Sequence, residues 1–510
     1  MTSIYVNRQP KSWTTFWLLF FSLTVLYIGL NIWLTSQGFA SDFNAHRWNK
    51  VITAFDSDEF RLEYVGLLYP HGPIYLLALL YSLLGIESVQ AATGLSAILL
   101  AVMFGLWNRH LWHKGYSQRA RIVMLALLAL HPFSLWAASS GLHNTLVLFT
   151  FYLFCYGCYL VISIHDLRAV VLVAFMLAVL FFVDERTSIV FLALLPLIPF
   201  LAPKKMLGSS LVGVYSILIF PVAFTAAGWI YLNQVFHSNP WEFLQASEAS
   251  FRGAFNQAEN SPWLSGLGGQ WLVPATYGLV FTILAFPFIP WVIWHYRQHR
   301  VRFAATLALV IHPVIAIALA TSIFFLSDLL NLLFLQIAIV MATILLMPRV
   351  RQAKHLLILL AVGNLGGWLT LNWLPSHETR DWSKALAGNY QVIKDDLSEL
   401  GLWLKDVRQP TLMDDRQLYR AIVARGNAHN LVLPFSHQFK NEMKRLQPTI
   451  EQVVVANPTR PVAAMDRVTQ QFPALFWQGA PGYYLVYDSR DWRVWRSQSL
   501  PSLQSSPQMP

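Results

Sequence analysis

The chain is poor in charged residues and in cysteine. Only 12% of its 510 residues are charged and 55% are hydrophobic, a composition that is typical of a protein with many membrane spans. The only two cysteines, Cys155 and Cys158, lie inside one apolar run. CxxC spacing is compatible with redox chemistry or a metal, but two ligands without a second pair do not complete a zinc site. Burial among apolar helices is the favoured interpretation.

Several catalytic motifs are missing. The sequence has no P-loop, no Rossmann glycine motif, no HExxH and no GxSxG, so ATP hydrolysis, dinucleotide chemistry and zinc or serine hydrolysis lack sequence support. It also has no Asn-x-Ser/Thr acceptor without a middle proline, which favours a bacterial origin. We detect no internal repeat of the kind that transporters carry.

Long apolar runs dominate the rest of the chain. The first, Trp13 to Leu34, follows Arg8 and Lys11 and is too long for a cleaved signal peptide, which indicates an uncleaved signal anchor. The run from Pro73 to Gly85 is too short to span and predicts an interfacial or re-entrant helix. Eleven runs are long enough to be predicted spans: 13–35, 88–108, 121–139, 144–164, 168–183, 187–202, 208–232, 271–296, 302–326, 329–347 and 355–374.

The distribution of charge predicts the topology. If 73–85 does not cross the membrane, fifteen basic residues and one acidic residue fall on the same side as the N-terminus. The opposite loops before residue 375 then hold five basic and twelve acidic residues. The positive-inside rule therefore predicts a cytoplasmic N-terminus and a C-terminal region outside the cytoplasm. The formal net charge of +10 is thus a topology signal, and no nucleic-acid partner is expected.

The predicted domain organisation has three parts. Residues 1–374 form the transmembrane domain, with large outer loops at 36–87 and 233–270, the second having the composition of a partly mobile lid. Residues 375–500 form a small soluble α/β domain, in which TLMDD, NLVLP and TIEQVVVAN read as strands and GYYLVYDSRDWRVWRS as a hairpin. The Ser/Pro/Gln-rich end, 501–510, is expected to be disordered.

The first outer loop carries the main candidates for chemistry. Asp42 lies just beyond the first span, where a carboxylate is suited to take a proton from an acceptor hydroxyl, or simply to cap the helix that follows. Basic residues nearby are suited to bind a leaving phosphate, or to pair with Asp56, Asp58, Glu59 and Glu63 or contact lipid headgroups. These basic residues are His46, Arg47, Lys50, Arg61 and His71.

Other candidates lie at predicted outer corners. In LYPHGPIY, two prolines and a glycine predict a corner that exposes Tyr69 and His71, either toward a cavity or as a plain chain reversal. Asp184, Glu185 and Arg186 end a predicted span, where such residues are suited to contact a substrate or to orient the first loop, or else form a solvated turn. The weaker candidates are His143 and Asn144 at a similar corner, His131 and His312 as packing or kink residues, and Asp414 and Asp415, for which a surface turn is favoured over an acceptor contact.

These features resemble the GT-C superfamily of polyprenyl-phosphate-dependent glycosyltransferases, in the branch that contains lipid A aminoarabinose transferases and protein O-mannosyltransferases. The likeness covers most of residues 10–350 as a pattern. It depends on Asp42 early in the first outer loop, the corner YPHGPIYLLALLYSLLG, the basic turn NRHLWHKGYSQRAR and the VDERTS corner. Members often have Asp-Glu at the first site and Lys-Pro-Pro at the corner, whereas this chain has Asp42-Phe43 and Pro70-His71-Gly72-Pro73.

The resemblance implies a GT-C-like α-helical polytopic membrane protein of about 11 transmembrane helices. It implies sugar transfer, with inversion, from a polyprenyl-phosphate donor to a lipid, glycan or protein acceptor on the outer face. Asp42 would be the base, and His71 would meet the donor phosphate. No cofactor is assigned; a divalent metal is compatible but unsupported, since no spacing of acids demands one. A bacterial inner-membrane location follows, and the alternatives are a transporter or lipid flippase and a non-catalytic envelope subunit.

Overall fold

The fold is described from a computed structural model of the chain. The structure describes residues 10–56, 71–84, 89–164, 167–184, 211–237, 240, 272–297, 333–347, 353–373, 377–390, 396–460, 463 and 466–498. The described part is mostly helical, with one small sheet near the C-terminus. Contacts between residues divide the chain into two compact units. The first comprises Met1–Asn44, Tyr69–Leu76 and Ser88–Gln391, and the second comprises Ala45–Leu68, Leu77–Glu87 and Val392–Pro510.

Fourteen described helices precede residue 390. They are α1 (Pro10–Ser36), α2 (Asp42–Phe55), α3 (His71–Leu84), α4 (Val89–His113), α5 (Gln118–Ala129), α6 (Pro132–Ser139), α7 (Leu142–Ile164), α8 (Leu167–Val183), α9 (Leu211–His237), α10 (Leu272–Ala285), α11 (Phe288–Tyr296), α12 (Gln336–Leu346), α13 (Ala353–Trp373) and α14 (His377–Leu386). Only the first residues of α2 and α3 belong to the first unit; the rest of each helix belongs to the second.

Five described helices are long and apolar enough to cross a membrane. They are Trp13–Ser36, Ala92–His113, Leu142–Ser163, Val212–Val235 and Lys354–Leu371, and they match the predicted spans 13–35, 88–108, 144–164, 208–232 and 355–374. Large apolar side chains on these helices are exposed, among them Leu18, Phe224 and Leu365. Such exposure is compatible with contact with lipid in a multi-pass membrane protein.

The other predicted spans have different outcomes. Residues 121–139 form two helices, α5 and α6, bent by 61° rather than one continuous helix. The break falls at His131-Pro132, since proline cannot continue the hydrogen-bond ladder. Residues 271–296 likewise form α10 and α11, separated at Pro287. Helices α8 and α12 are shorter apolar helices, as is α3, which was predicted to be too short to span. The predicted spans 187–202 and 302–326 lie outside the described residues.

The two helix breaks in the first unit are in contact. The ring of His131 stacks on Phe286 with centroids 4.8 Å apart. Its Nδ1 accepts a hydrogen bond from the amide of Phe133, and its Nε2 lies 3.3 Å from the carbonyl oxygen of Ala285. His131 therefore has the packing and kink role predicted for it. Cys155 and Cys158 are also buried, as predicted.

The second unit contains a five-stranded sheet. Its elements after the transmembrane helices are α15 (Asp396–Lys405), β1 (Thr411–Leu412), α16 (Asp415–Arg425), β2 (Leu431–Val432), α17 (His437–Glu442), β3 (Gln452–Ala456), α18 (Arg467–Gln471), α19 (Leu475–Gln478), β4 (Tyr483–Asp488) and β5 (Trp492–Ser497). The strand order is β2-β1-β3-β5-β4, with β1 parallel to both β2 and β3 and with β5 antiparallel to β3 and β4.

The predicted strands and hairpin of the second unit are confirmed. Strand β3 is buried along its whole length, which fits its unbroken run of valines. Its inward side chains pack with Leu412, Phe439 and Phe476 in one apolar core. Because the chain runs from β1 to β2 on one side and then crosses to β3 on the other, the sheet has a topological switch point at the carboxyl ends of β1 and β3. Whether residues 375–500 fold as an independent domain stays a prediction.

Candidate active site

Asp42 is the first residue of α2 and is partly exposed. The residue before it, Ser41, is buried, and its Oγ lies 2.7 Å from the carbonyl oxygen of Ser140 and 2.7 Å from Oε1 of Glu378. The same Oε1 accepts a hydrogen bond from the amide of Asp42 at 3.2 Å. The first turn of α2 is therefore fixed to two segments that are remote in the sequence.

The corner between α6 and α7 packs directly against α2. Gly141 has φ +119°, which side chains disfavour, and an added Cβ would collide with the side chain of Asn44. Asn144 donates to Oγ of Ser140 at 2.8 Å. Glycine is thus required at this corner both by the backbone conformation and by the close approach of α2.

The corner also carries a buried pair of polar side chains. Nε2 of His143 lies 3.1 Å from Oδ2 of Asp184, at the end of α8, and both side chains are 2% exposed. Asp184 was predicted to face a substrate or a solvated turn; the structure instead assigns it a buried partner on α7. His143, the weaker candidate in the sequence, is the residue that holds it.

The start of α3 lies against the end of α8. An ideal Cβ on Gly72 would be 3.0 Å from the side chain of Val183. The rings of Tyr75 and Phe182 are 6.0 Å apart. The start of α3, whose first residue is His71, is therefore beside the helix end that carries Asp184.

Ser41, Asp42, Ser140, His143, Asp184 and Glu378 form one connected group in the first unit, which we call the Asp42 cluster. Four helices, α2, α3, α7 and α14, begin around it, and two helices, α6 and α8, end there. Helix N-termini carry unpaired N–H groups and a partial positive charge, which favour anions. The charge pattern predicts that all these segments share one side of the membrane.

The other predicted site residues have two different outcomes. His46 and Arg47 follow Asp42 on α2 but belong to the second unit, where the His46 ring lies 5.2 Å from that of Tyr419. Arg61, Tyr69, Glu185 and Arg186 lie outside the described residues. Among the described residues, no group of three or more His, Cys, Asp or Glu side chains is arranged to hold a metal ion.

A second polar centre lies in the second unit, at the carboxyl end of β1. Asp414 caps α16, accepting from the amide of Arg416 at 3.1 Å, and also accepts from the amide of Arg467 at 2.9 Å. Asp466 caps α18 through Thr469. These two residues and Asp415, all buried, form the aspartate cluster. The surface turn predicted for Asp414 and Asp415 is wrong, because the switch point folds them inward.

Lys50 of α2 neutralises part of this centre. Its Nζ lies 2.7 Å from Oδ2 of Asp415. Burial raises the pKa of Asp415, but the charge and hydrogen bond of Lys50, together with the nearby charges of His46 and Arg467, outweigh burial, and the net pKa is lowered. Burial, with the neighbouring charge of Asp415, raises the pKa of Asp414 to about 7. Burial, with the neighbouring Asp414, raises the pKa of Asp466 to about 7 as well.

Sequence reasoning missed Glu378 and the pairing of Lys50 with Asp415. The only local signal at Glu378 is an acid in the first turn of a helix, a common arrangement that predicts no distant partner. No model of a known protein family matches the chain, and no curated protein is significantly similar to it.

Proposed function

We propose that the protein is an integral-membrane glycosyltransferase that takes a sugar from a polyprenyl-phosphate donor. The observation that carries the proposal is the Asp42 cluster, in which a partly exposed carboxylate begins α2 and its amide is bound by Glu378 in the first turn of α14. A transferase of this kind needs a base for the acceptor hydroxyl and a positive environment for the departing phosphate. Asp42 supplies the base, and the partial positive charge comes from the helix N-termini at the cluster.

In the proposed reaction, the Asp42 carboxylate removes the proton of an acceptor hydroxyl as its oxygen attacks the anomeric carbon. A new carbon–oxygen bond forms as the bond to the phosphate oxygen breaks, and the polyprenyl phosphate leaves as an anion. Attack from the face opposite the leaving group inverts the configuration. The helix N-termini would stabilise the phosphate, as would Arg61, His71 and Arg186, which the sequence predicts as phosphate or substrate contacts.

The remaining assignments are parts of the same proposal. The GT-C-like fold with about eleven spans, the bacterial inner membrane and the cytoplasmic N-terminus follow from the charge pattern and the resemblance. The acceptor is a lipid, glycan or protein, and the C-terminal region binds or orients it. A bound divalent metal is not required by this scheme.

The first experiment compares purified, detergent-solubilised wild type with Asp42→Asn. A panel of polyprenyl-phosphate sugars is offered with a native membrane extract as acceptor, and products are identified by mass. Removing a general base typically lowers kcat by about 10²–10⁴. Asp381→Asn, which alters a carboxylate in α14 that pairs with Lys384, serves as the matched control and is expected to keep wild-type transfer.

Either of two outcomes contradicts the proposal. Transfer that persists in a folded Asp42→Asn variant removes Asp42 from the base role. Absence of transfer in wild type with every donor favours the transporter or the non-catalytic subunit.

A membrane transporter or lipid flippase is the second candidate, because one observation favours it. The break between α5 and α6 meets the break between α10 and α11, and discontinuous helices are common at transport sites. Both ring nitrogens of His131 contact neighbouring backbone groups, so packing alone accounts for the breaks. Uptake of lipid-linked sugars into proteoliposomes, unaffected by Asp42→Asn, would support this candidate.

A further inference from the structure

Glu378 caps the first turn of α2, although it lies 336 positions from Asp42 in the sequence. One carboxylate oxygen lies 3.2 Å from the amide nitrogen of Asp42 and 2.7 Å from Oγ of Ser41. Amide groups in the first turn have no partner within their own helix, so an external acceptor determines how this turn is held. The acceptor here is an ionisable side chain of α14 rather than a residue of the loop itself.

Helix α14 is itself firmly anchored in the first unit. Trp382, one turn beyond Glu378, is fully buried and donates from Nε1 to Oγ of Ser139 at 2.7 Å. Its ring packs edge-on against Trp136 at 5.8 Å. Ser139 precedes Ser140, whose carbonyl oxygen is the other partner of Ser41. Glu378 and Ser140 therefore approach Ser41 from two elements that are bonded to each other.

We propose that Glu378 is a positioning residue for Asp42. It holds the first turn of α2 so that the Asp42 carboxylate keeps one position relative to the substrate. The assignment of a catalytic effect rests on the proposed function, whereas the structural effect on α2 does not. A displacement of about 1 Å at a reacting group is enough to lower a rate by about 10²-fold, so loss of this cap is expected to affect kcat more than substrate binding.

The test uses two substitutions with different chemistry. Glu378→Ala removes the acceptor, whereas Glu378→Gln keeps an oxygen that can accept both hydrogen bonds and loses only the charge. We expect Glu378→Ala to lower kcat by about tenfold or more with donor KM within about twofold of wild type, as loss of positioning requires. We expect Glu378→Gln to stay within about threefold of wild type, because the cap is retained. Asp381→Ala, three residues further along α14, is the matched control.

A second readout does not depend on transfer. Hydrogen exchange of the full-length protein in detergent, followed by mass spectrometry, reports the amides at the start of α2. Glu378→Ala is expected to speed exchange in the segment 41–47, and neither Glu378→Gln nor Asp381→Ala should do so. This measurement holds even for a variant with a lowered thermal midpoint, provided that exchange elsewhere in α4 and α7 is unchanged.

The outcomes separate this inference from the proposed function. Wild-type kcat and wild-type exchange in Glu378→Ala would overturn the positioning role. A Glu378→Gln variant as slow as Glu378→Ala, with unchanged exchange, would also overturn it, since the charge would then act directly. If wild type transfers no sugar but Glu378→Ala still loosens α2, the proposed function fails while the capping role stands.

Discussion

Lys50 and Asp415 form a buried ion pair between residues 365 positions apart in the sequence. Their side chains are only 12% and 5% exposed, and Nζ and Oδ2 are 2.7 Å apart. The pair joins α2 to the first residue of α16, just after β1, within the second unit. The segment predicted as the first outer loop thus contributes α2 to the fold of the C-terminal sheet, at the switch point where α/β sheets commonly bind ligands.

Breaking this pair should destabilise the second unit. Lys50→Met leaves the Asp415 carboxylate buried without its cation, which typically costs about 3–5 kcal/mol. The measurement is urea unfolding of the detergent-solubilised full chain, followed by pulse proteolysis. Lys405→Met, at an exposed position of α15, should change stability by less than about 0.5 kcal/mol.

The same experiment has an internal check. Replacing both partners, in Lys50→Met with Asp415→Leu, removes the unpaired charge and should recover most of the loss, because apolar pairs of similar volume are often as stable as buried ion pairs. A double variant no more stable than Lys50→Met would show that the ion pair is not the source of the effect.

The aspartate cluster predicts an unusual dependence of stability on pH. The pKa of Asp466 is raised from 3.8 to about 7, so the folded state keeps a proton that the unfolded state loses above about pH 4. Stability of the second unit should therefore fall as pH rises from about 4 to 7. Asp415 has a lowered pKa, so its pH dependence has the opposite sign. It stabilises the fold at higher pH, and this stabilisation is lost as the pH falls.

Asp466→Asn tests this cluster directly. The amide oxygen can still accept from Thr469 but the side chain cannot ionise, so the variant should be more stable than wild type near pH 8 and show a smaller pH slope. Asp488→Asn, at an exposed position beside Arg493, should keep the wild-type slope. The measurement is the unfolding midpoint of each variant across this pH range. A wild-type midpoint that does not change with pH would contradict the raised pKa of Asp466.

The corner at Gly141 should not tolerate a side chain. Gly141→Ala places a Cβ on a residue with φ +119° and against Asn44, a combination of backbone strain and overlap that costs about 1–3 kcal/mol. We expect a lower thermal midpoint and, because Asn44 lies in the first turns of α2, reduced transfer. Gly94→Ala is the control: nothing lies within 4 Å of its ideal Cβ in α4, and its thermal midpoint should not fall.

His143 and Asp184 should behave as one unit. Their side chains are buried against each other, so His143→Leu and Asp184→Leu should each lower the thermal midpoint, and the double variant should lose less than the sum. Coupling energies of about 0.5–3 kcal/mol are usual for contacting buried residues. The control combines His143→Leu with Asp381→Asn on a different helix, α14, and the changes in thermal midpoint of these two substitutions should be additive. Additive changes in the His143–Asp184 double variant would refute the pairing.

Much of the fold could be predicted from local sequence. The apolar length of Trp13–Leu34 predicts a membrane-spanning helix because a bilayer sets that length. The valines of β3 and the DSRD turn between β4 and β5 likewise predict their strands. The helix breaks at Pro132 and Pro287 were missed, since hydropathy reports apolar length and not continuity of the backbone hydrogen bonds.

The candidate site was less accessible to sequence reasoning. Asp42 and Asp184 were predicted as site residues because ionisable residues at the ends of apolar runs are conspicuous. Their contacts with Glu378 and His143 were not predicted. Asp415 was assigned to a surface turn, because a local Asp-Asp pattern carries no information about a lysine hundreds of residues away.

By itself, the sequence determined where the chain is apolar enough to enter a membrane, which short segments pair as strands, and where charges gather. These properties depend on residues within one or two turns of each other. Only the tertiary structure decided that Glu378 caps α2, that His143 holds Asp184 and that Lys50 enters the aspartate cluster. Each of these contacts joins residues at least 41 positions apart in the chain, and its energy depends on burial and geometry that exist only after their helices have packed together.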